Sequence, residues 1–231
     1  NKYLLSKCKE CSHGEVKELN NYLESFFPLT VSKLADNLKG RNIDFQFCAN
    51  RAEAKKAVLE FIRPQMSVGY GGSQTLIECG FPDCLRDMDI TLFDRAEEGI
   101  TKEEKKSREK KALHADVFLS GVNAISMDGC LHFIDAIGNR AAPILFGPDK
   151  IVLVAGVNKL CPDKDYAEKR MRFISCPSNA VRLQRNTPCV HTGLCTDCRS
   201  SGRICAYKIE IEYNLSPGRI HLILINEELG L

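Results

Sequence analysis

The sequence predicts a layered α/β fold built around a largely parallel sheet, and three observations predict it. Between Ile43 and Leu113, short apolar runs alternate with stretches of helical periodicity, as in repeated βα units. Lys150 to Gly156 is an almost unbroken β-branched run, the signature of a strand buried on both faces. Glycines follow several of the strand-like runs, where an open α/β sheet lets a ligand approach the backbone.

In chain order, Lys2 to Gly14 is a polar start carrying Cys8, Cys11 and His13, half a metal site or an arm with two free thiols. From Glu15 to Lys39 the apolar residues Val16, Leu19, Leu23, Phe26, Phe27, Leu34 and Leu38 follow helical spacing, with a break expected near Pro28. Ile43 to Cys48 reads as a strand and Arg51 to Ile62 as a helix stopped by Pro64. Met66 to Tyr70 is a short strand, after which Gly71-Gly72-Ser73 opens a short helix closed by Gly80. Ile90 to Phe93 is a third strand. Thr101 to Leu113 is a charged helix with a solvated face and the spaced pair Glu104 and Arg108. Val117 to Ile125 and Cys130 to Ile134 flank Met127-Asp128-Gly129, a hairpin signal. Near the end, Ala206 to Tyr213 and Ile220 to Ile225 read as two strands joined through Ser216-Pro217-Gly218 that return the chain to the sheet. The expected organisation is a helical segment over 1–40, an α/β core over 41–188, a cysteine-rich loop over 189–205 and closing strands over 206–231.

Composition narrows the class. With 231 residues, 44% of them hydrophobic, the chain can bury one large α/β core. A formal net charge of +2 points to no nucleic-acid partner, and no apolar run approaches the length of a membrane span. Twelve cysteines without a secretion-type apolar segment fit a reducing cytoplasm better than a disulfide scaffold. The chain opens on Asn1, so at least an initiator Met is expected to have been lost ahead of it.

Three stretches carry candidate binding chemistry. In Gly71-Gly72-Ser73-Gln74-Thr75, glycines between strand and helix free backbone N–H groups for an anion, and Ser73 and Thr75 add hydroxyls. The competing reading is a glycine-rich turn with Ser73 as the helix cap. Asn123, among apolar neighbours at a strand end, either ties loops together or hydrogen-bonds a ligand. In Gly138-Asn139-Arg140, the arginine either clamps a carboxylate or phosphate or pairs with Asp135 or another carboxylate.

The segments GYGGSQTL, ADVFLSGVNAISMDGCLHFIDAIGNRAA, FGPDKIVLVAGVNK and NEELG, with Glu103-Glu104-Lys105 between the first two, resemble the LUD family of lactate-utilization proteins over about residues 15 to 231. The resemblance implies a cytoplasmic bacterial or archaeal protein connected with oxidising lactate to pyruvate. It also implies a fold similar to ribose-5-phosphate isomerase and CoA-transferase domains, and the company of other lactate-utilization subunits. GVNAISMDG looks like the acid–base segment of sugar-phosphate isomerases, but Asn123 stands where those enzymes carry an aspartate, which argues against isomerase chemistry.

A further feature stands apart from that resemblance. Four of the twelve cysteines, Cys189, Cys195, Cys198 and Cys205, crowd into one polar stretch in which Gly193 and Gly202 permit chain reversals. Four thiolates suit Zn²⁺ or a [4Fe-4S] cluster, with Arg199 and Arg203 offsetting negative charge and His191 as a spare ligand. The association with lactate favours iron–sulfur, because a 2-hydroxy acid losing two electrons needs an acceptor. Cys48, Cys79, Cys84, Cys130, Cys161 and Cys176 are expected mostly as buried small hydrophobes.

The resulting expectation is an electron-transferring or substrate-binding component of a lactate-oxidising system. Gly71, Gly72, Ser73, Thr75, Asn123, Asn139 and Arg140 would line a pocket for a small anionic substrate, and oligomerisation is open. Two alternatives stand beside it: a transferase or isomerase for a phosphorylated or CoA-linked substrate with structural zinc, and a regulatory binding module without chemistry.

Overall fold

The computed structural model describes residues 13–231, with side chains from Phe26 onward. The sequence-based expectations for Cys8, Cys11 and the His13 side chain lie outside these residues.

Six strands form a sheet in which every described pairing is parallel. The strands are β1 (Asp44–Cys48), β2 (Ser67–Tyr70), β3 (Thr91–Phe93), β4 (Val117–Gly121), β7 (Lys150–Gly156) and β10 (Ile220–Ile225), in the order β1-β10-β7-β4-β2-β3. The central strands are apolar on both faces because both are covered. Val152, Val154, Leu119 and Ile223 point to a cluster that includes Ala57 and Val58 of α2 (Arg51–Leu59), Leu76 of α3 (Gln74–Glu78) and Leu85 of α4 (Phe81–Arg86). Alternate residues Ile151, Leu153, Phe118 and Leu222 point the other way, onto Leu34 and Leu38 of α1 (His13–Gly40) and Ile125, Leu131 and Phe133. The two-residue period of a strand divides one apolar run between two cores.

The charged helix α5 (Lys102–Lys111) buries none of its residues, and Arg108 reaches Glu104 at 2.9 Å as the spacing predicts. Its Thr101 cap accepts a hydrogen bond from the Glu104 N–H at 3.1 Å.

Three features depart from the sequence reading. The first helix runs unbroken through Pro28, which is exposed. Val117 to Ile125 is not one strand: β4 ends at Gly121, and β5 (Ala124–Ser126) belongs to a second sheet. That sheet has the order β8-β5-β6-β9, with β6 (Leu131–Asp135), β8 (Leu160–Cys161) and β9 (Tyr207–Ile211). The hairpin expected across Asp128-Gly129 is β5 with β6, antiparallel, with Gly129 at φ 89°. The two closing strands are not neighbours: β9 pairs antiparallel with β6, whereas β10 inserts between β1 and β7 of the large sheet. Strand periodicity reports burial and carries no record of the partner, so the sheet change at Ser216-Pro217-Gly218 had no signal.

Candidate functional site

At the carboxyl end of β2, the Gly71 N–H still donates to the Leu119 carbonyl at 2.9 Å, and the chain then turns into α3. Neither Gly71 nor Gly72 has a positive φ; what they provide is closeness. A Cβ on Gly71 would stand 2.9 Å from Cγ of Arg140, and one on Gly72 would stand 2.8 Å from Nη1 of Arg95. The stem of Arg140 and the guanidinium of Arg95 thereby lie against the glycine turn.

The residues named from sequence do gather here, and their polar atoms are spent largely on one another. Ser73 is the cap of α3, its Oγ accepting the Leu76 N–H at 3.3 Å. Thr75 is buried, with its Oγ1 donating to the Leu229 carbonyl at 3.5 Å. Asn123 ties loops together: its Oδ1 accepts the Ile134 N–H at 3.1 Å and Arg140 Nη2 at 2.7 Å. Arg140 forms the ion pair with Asp135 at 2.8 Å and also donates to the Ile134 carbonyl at 2.9 Å. Asn139 donates to Glu109 Oε1 at 2.8 Å, and the same oxygen accepts from Arg95 at 2.8 Å. The arrangement is a cross-linked polar floor at the strand ends. Arg95 and Glu109, which complete it, lie in a charge-rich stretch where nothing in the spacing singles them out.

Beyond β7, Lys159 is 1% exposed and Arg170 is 6% exposed. Lys159 Nζ donates to the Leu231 oxygen, while Arg170 donates to the Asn158 carbonyl at 2.9 Å, the Asn123 carbonyl at 2.8 Å and Ser175 Oγ at 2.7 Å. Burial, helped by the neighbouring Arg170 charge, brings the Lys159 ammonium down to about 7. A serine, a histidine and an aspartate also meet in the second sheet, in an order unsuited to nucleophilic catalysis. Ser126 stands between the Asp128 carboxylate and His132 Nε2, 2.9 Å from the latter, so the carboxylate orients the serine and not the imidazole.

The cysteine-rich stretch packs beside the second sheet. Helix α7 (Lys164–Arg170) passes through a π-helical turn, Met171–Ser175, directly into α8 (Cys176–Arg182). A short α9 (Pro188–Thr192) ends on Gly193 at φ 73°, and Asp197 turns the chain again at φ 47°. Between these elements and β9 lies a cavity of about 120 Å³ lined by Ile134, Arg172, Cys176, Cys195, Arg203, Cys205, Ala206 and Lys208. Of the four loop thiols expected to act together, Cys195 and Cys205 reach this wall. A fifth, Cys176, joins them from outside the loop. It was expected to be a small buried hydrophobe, and its Cys176-Pro177 context gives no hint of the meeting, since Cys161-Pro162 reads the same way.

Cys205 is held well below the ordinary thiol range, first by the neighbouring Cys176 thiol and then by the Arg203 guanidinium beside it, and Cys176 is pushed up. The cations on the wall are Arg172, Arg203 and Lys208; Arg199 is not among them. His191 is turned to Asn186, with Nε2 3.1 Å from Oδ1. Arg203 Nη1 donates to the Cys198 carbonyl at 2.6 Å and Nη2 to the Cys205 carbonyl at 3.0 Å. Its Nε, buried, is the one such side-chain nitrogen or oxygen among the described residues that has no hydrogen-bond partner.

Among the described residues, no three His, Cys, Asp or Glu side chains converge closely enough to hold one metal ion. A single zinc needs four sulfurs at about 2.3 Å from one point. Here thiols stand around a space instead. An all-sulfur donor set with three cations and an orphaned N–H at its wall fits the chemistry of an anionic thiolate-bound cluster.

The parallel sheet, its cross-linked polar floor and the thiol-lined cavity define an α/β protein with a cysteine-rich lobe. The LUD domain model matches residues 31–225, and the chain belongs to the LUD-domain family. Among solved structures, a DUF162 family protein from Deinococcus radiodurans matches 86% of this chain and 97% of its own length at 11% identity and a TM-score of 0.49. Ribose 5-phosphate isomerase from Plasmodium falciparum matches 48% of this chain and 52% of its own length at 17% identity and a TM-score of 0.30. No curated protein matches the chain. No described helix is long and apolar enough to cross a membrane.

Proposed function

We propose that this LUD-domain chain is an electron-transferring component of a cytoplasmic system that oxidises lactate to pyruvate together with other subunits, using a [4Fe-4S] cluster held in the cysteine-rich lobe. The observation that carries the reading is the cavity walled by Cys176, Cys195 and Cys205 together with Arg172, Arg203 and Lys208. The family supplies the association with lactate. Cys189, Cys195, Cys198 and Cys205 are the loop thiols available to such a cluster, which when bound supplies a one-electron relay. Lactate oxidation releases two electrons and two protons; the cluster would carry one electron at a time, so a two-electron centre on a partner subunit would take the pair from lactate and pass it through the cluster in two successive transfers.

In this reading the chain's own residues bear the electrostatic load. Arg172, Arg203 and Lys208 offset the negative charge of thiolates and cluster, and Cys205 enters already inclined to the thiolate form. The polar floor formed by Gly71, Gly72, Asn123, Asn139 and Arg140 is the candidate contact for a small anionic substrate, with Ser73 and Thr75 shaping the turn beneath it. Engaging an anion there requires Arg140 or Arg95 to give up a present carboxylate partner.

The test is the iron, acid-labile sulfide and zinc content of anaerobically purified protein, with its visible spectrum before and after dithionite. The expected result is iron and sulfide with absorbance that bleaches on reduction, absent when Cys195 and Cys198 are both replaced by serine. Zinc alone, or no metal, rejects the electron-transfer reading.

A further inference from the structure

We propose that Cys176 is a ligand of the centre in the cysteine-rich lobe and takes the place that loop spacing would give to Cys198. The inference rests on the reading of that lobe as a metal centre and assigns its ligands differently.

The argument is geometric. Cys176, Cys195 and Cys205 share one cavity wall; Cys189 and Cys198 are both off it, and of the two Cys189 bears more strongly on Cys176, alongside Cys195 and Cys205. What Cys198 contributes is a main-chain carbonyl, which accepts from Arg203 Nη1 at 2.6 Å immediately after the turn at Asp197. That contact fixes the loop around the guanidinium. Cys176 comes from a different kind of element. It opens α8 directly after the π-helical turn Met171–Ser175, and such turns, rare in helices, occur often at functional sites because they re-aim the side chains that follow. The same turn delivers Arg172 to the cavity. Arg172 is held there at 3.0 Å by Glu168 and at 3.3 Å by Asp197, so helix and loop are clamped together across the space.

The buried Arg203 Nε points to a missing acceptor. A buried guanidinium N–H without a partner is costly. Its two other nitrogens are taken by the Cys198 and Cys205 carbonyls, and cluster sulfide or cysteine sulfur is the kind of acceptor that fits an Nε in a thiol-lined space. Ligation from α8 also has a structural consequence. It would add a covalent tie, beside the Arg172–Asp197 contact, between the lobe and the helix that runs on from α7 against β5.

The experiment compares wild type with Cys176→Ser, Cys198→Ser and Cys84→Ser, all purified anaerobically. Iron and sulfide per chain are measured together with the electron paramagnetic resonance spectrum after dithionite. The expected result is loss of iron and sulfide to background in Cys176→Ser, with wild-type content and spectrum in Cys198→Ser and Cys84→Ser. Wild-type content and spectrum in Cys176→Ser would overturn the proposal, as would loss in Cys198→Ser with retention in Cys176→Ser. A folding defect is separated by comparing chelated wild type with Cys176→Ser by circular dichroism and thermal unfolding. Matching spectra and midpoints, with iron and sulfide absent as purified only from the variant, support ligation, and a variant that unfolds well below chelated wild type counts against it. Wild type without iron, sulfide or zinc would defeat the centre itself, an outcome distinct from failure of the Cys176 assignment.

Discussion

The Nη2 atom of Arg140 lies 2.7 Å from Oδ1 of Asn123, and the same guanidinium pairs with Asp135 at 2.8 Å. The arginine therefore joins the start of the second sheet to the end of β6. Both members of the ion pair are nearly buried, with side chains 11% and 7% exposed. Replacing Arg140 by Ala leaves a buried carboxylate that keeps only the Ala141 N–H, at 2.7 Å, as a partner. Loss of one member of a buried pair costs about 3 kcal/mol or more. Urea unfolding of Arg140→Ala should show a loss of that order, and Arg140→Lys should recover little, because one ammonium cannot serve Asp135, Asn123 and the Ile134 carbonyl together. Unchanged stability would mean that these bonds do not hold the floor. If the guanidinium also grips an anionic ligand, the affinity of Arg140→Ala for lactate falls while folded protein is still in full supply.

Asp94 supports the opposite flank of the glycine turn. Burial alone would raise its carboxyl; hydrogen bonds from Tyr70, from Arg86 at 2.7 Å and from the Ala96 N–H at 2.8 Å outweigh that and hold it below the ordinary carboxylate range. A carboxyl depressed in the folded state contributes stability that is present above its unfolded value near 3.9 and is lost as pH falls through the folded value. Unfolding free energy should therefore rise with pH across the acid range below about 4. In Asp94→Asn that rise should be smaller, with about 1–3 kcal/mol lost at neutral pH, discounted towards the lower figure because Arg86 is partly exposed. Acid-unfolding curves of equal steepness for the two proteins would remove Asp94 as a source.

Much of the fold was legible because burial writes itself into local pattern. The run at Lys150 to Gly156 announced a strand covered on both faces, the charge run with its Glu104–Arg108 spacing announced a solvated helix, and Asp128-Gly129 announced the hairpin. What was not legible depends on contacts distant in sequence. Nothing local says that β10 slips between β1 and β7, or that Gly121 to Ala124 carries the chain from one sheet to another. The site divides in the same way. Gly71, Gly72, Asn123 and Arg140 were singled out as candidates because glycine turns, a lone amide and an arginine after a glycine are locally odd. Arg95, Lys159 and Cys176 were not, since a cation in a charged stretch or a cysteine before a proline looks ordinary until the fold places it.

Gly156 closes β7 where the residues after β10 cross it. A Cβ there would run into the Glu227 carbonyl and lie 2.6 Å from the Leu229 nitrogen. These are main-chain atoms held in register by the Val157 N–H donating to Glu227 at 3.0 Å and the Leu229 N–H donating to Asn158 Oδ1 at 3.1 Å. A flexible side chain could swing aside and these cannot, so Gly156→Ala should cost about 1–3 kcal/mol by overpacking. Gly71→Ala, which meets only side-chain atoms, of Arg140 and Ser120, should cost less. Thermal unfolding of the two variants side by side checks the order, and a milder Gly156→Ala would show that the crossing segment is free to lift.

Lys159 offers a different pH signature. Its ammonium is buried beside the Arg170 guanidinium, and burial first, then the like charge, brings it down to about 7. In the unfolded chain a lysine titrates near 10.4. Between these values the unfolded chain holds the proton and the folded chain does not. Stability attributable to this group therefore rises with pH, by up to about 1.4 kcal/mol per pH unit, from about pH 7 to about pH 10. At lower pH both states are protonated and the full cost of burying the charge is felt. Lys159→Met keeps the length and removes the charge, so the variant should equal or exceed wild type near pH 7 and lack the rise. Buried thiols such as Cys79 and Cys130, raised by burial, push in the opposite sense at the alkaline end. The quantity to measure is accordingly the difference between the two proteins in urea at each pH, in which those shared contributions cancel. A difference that stays constant from pH 7 to 10 would mean that Lys159 remains protonated in the folded protein, held by the Leu231 oxygen it already touches.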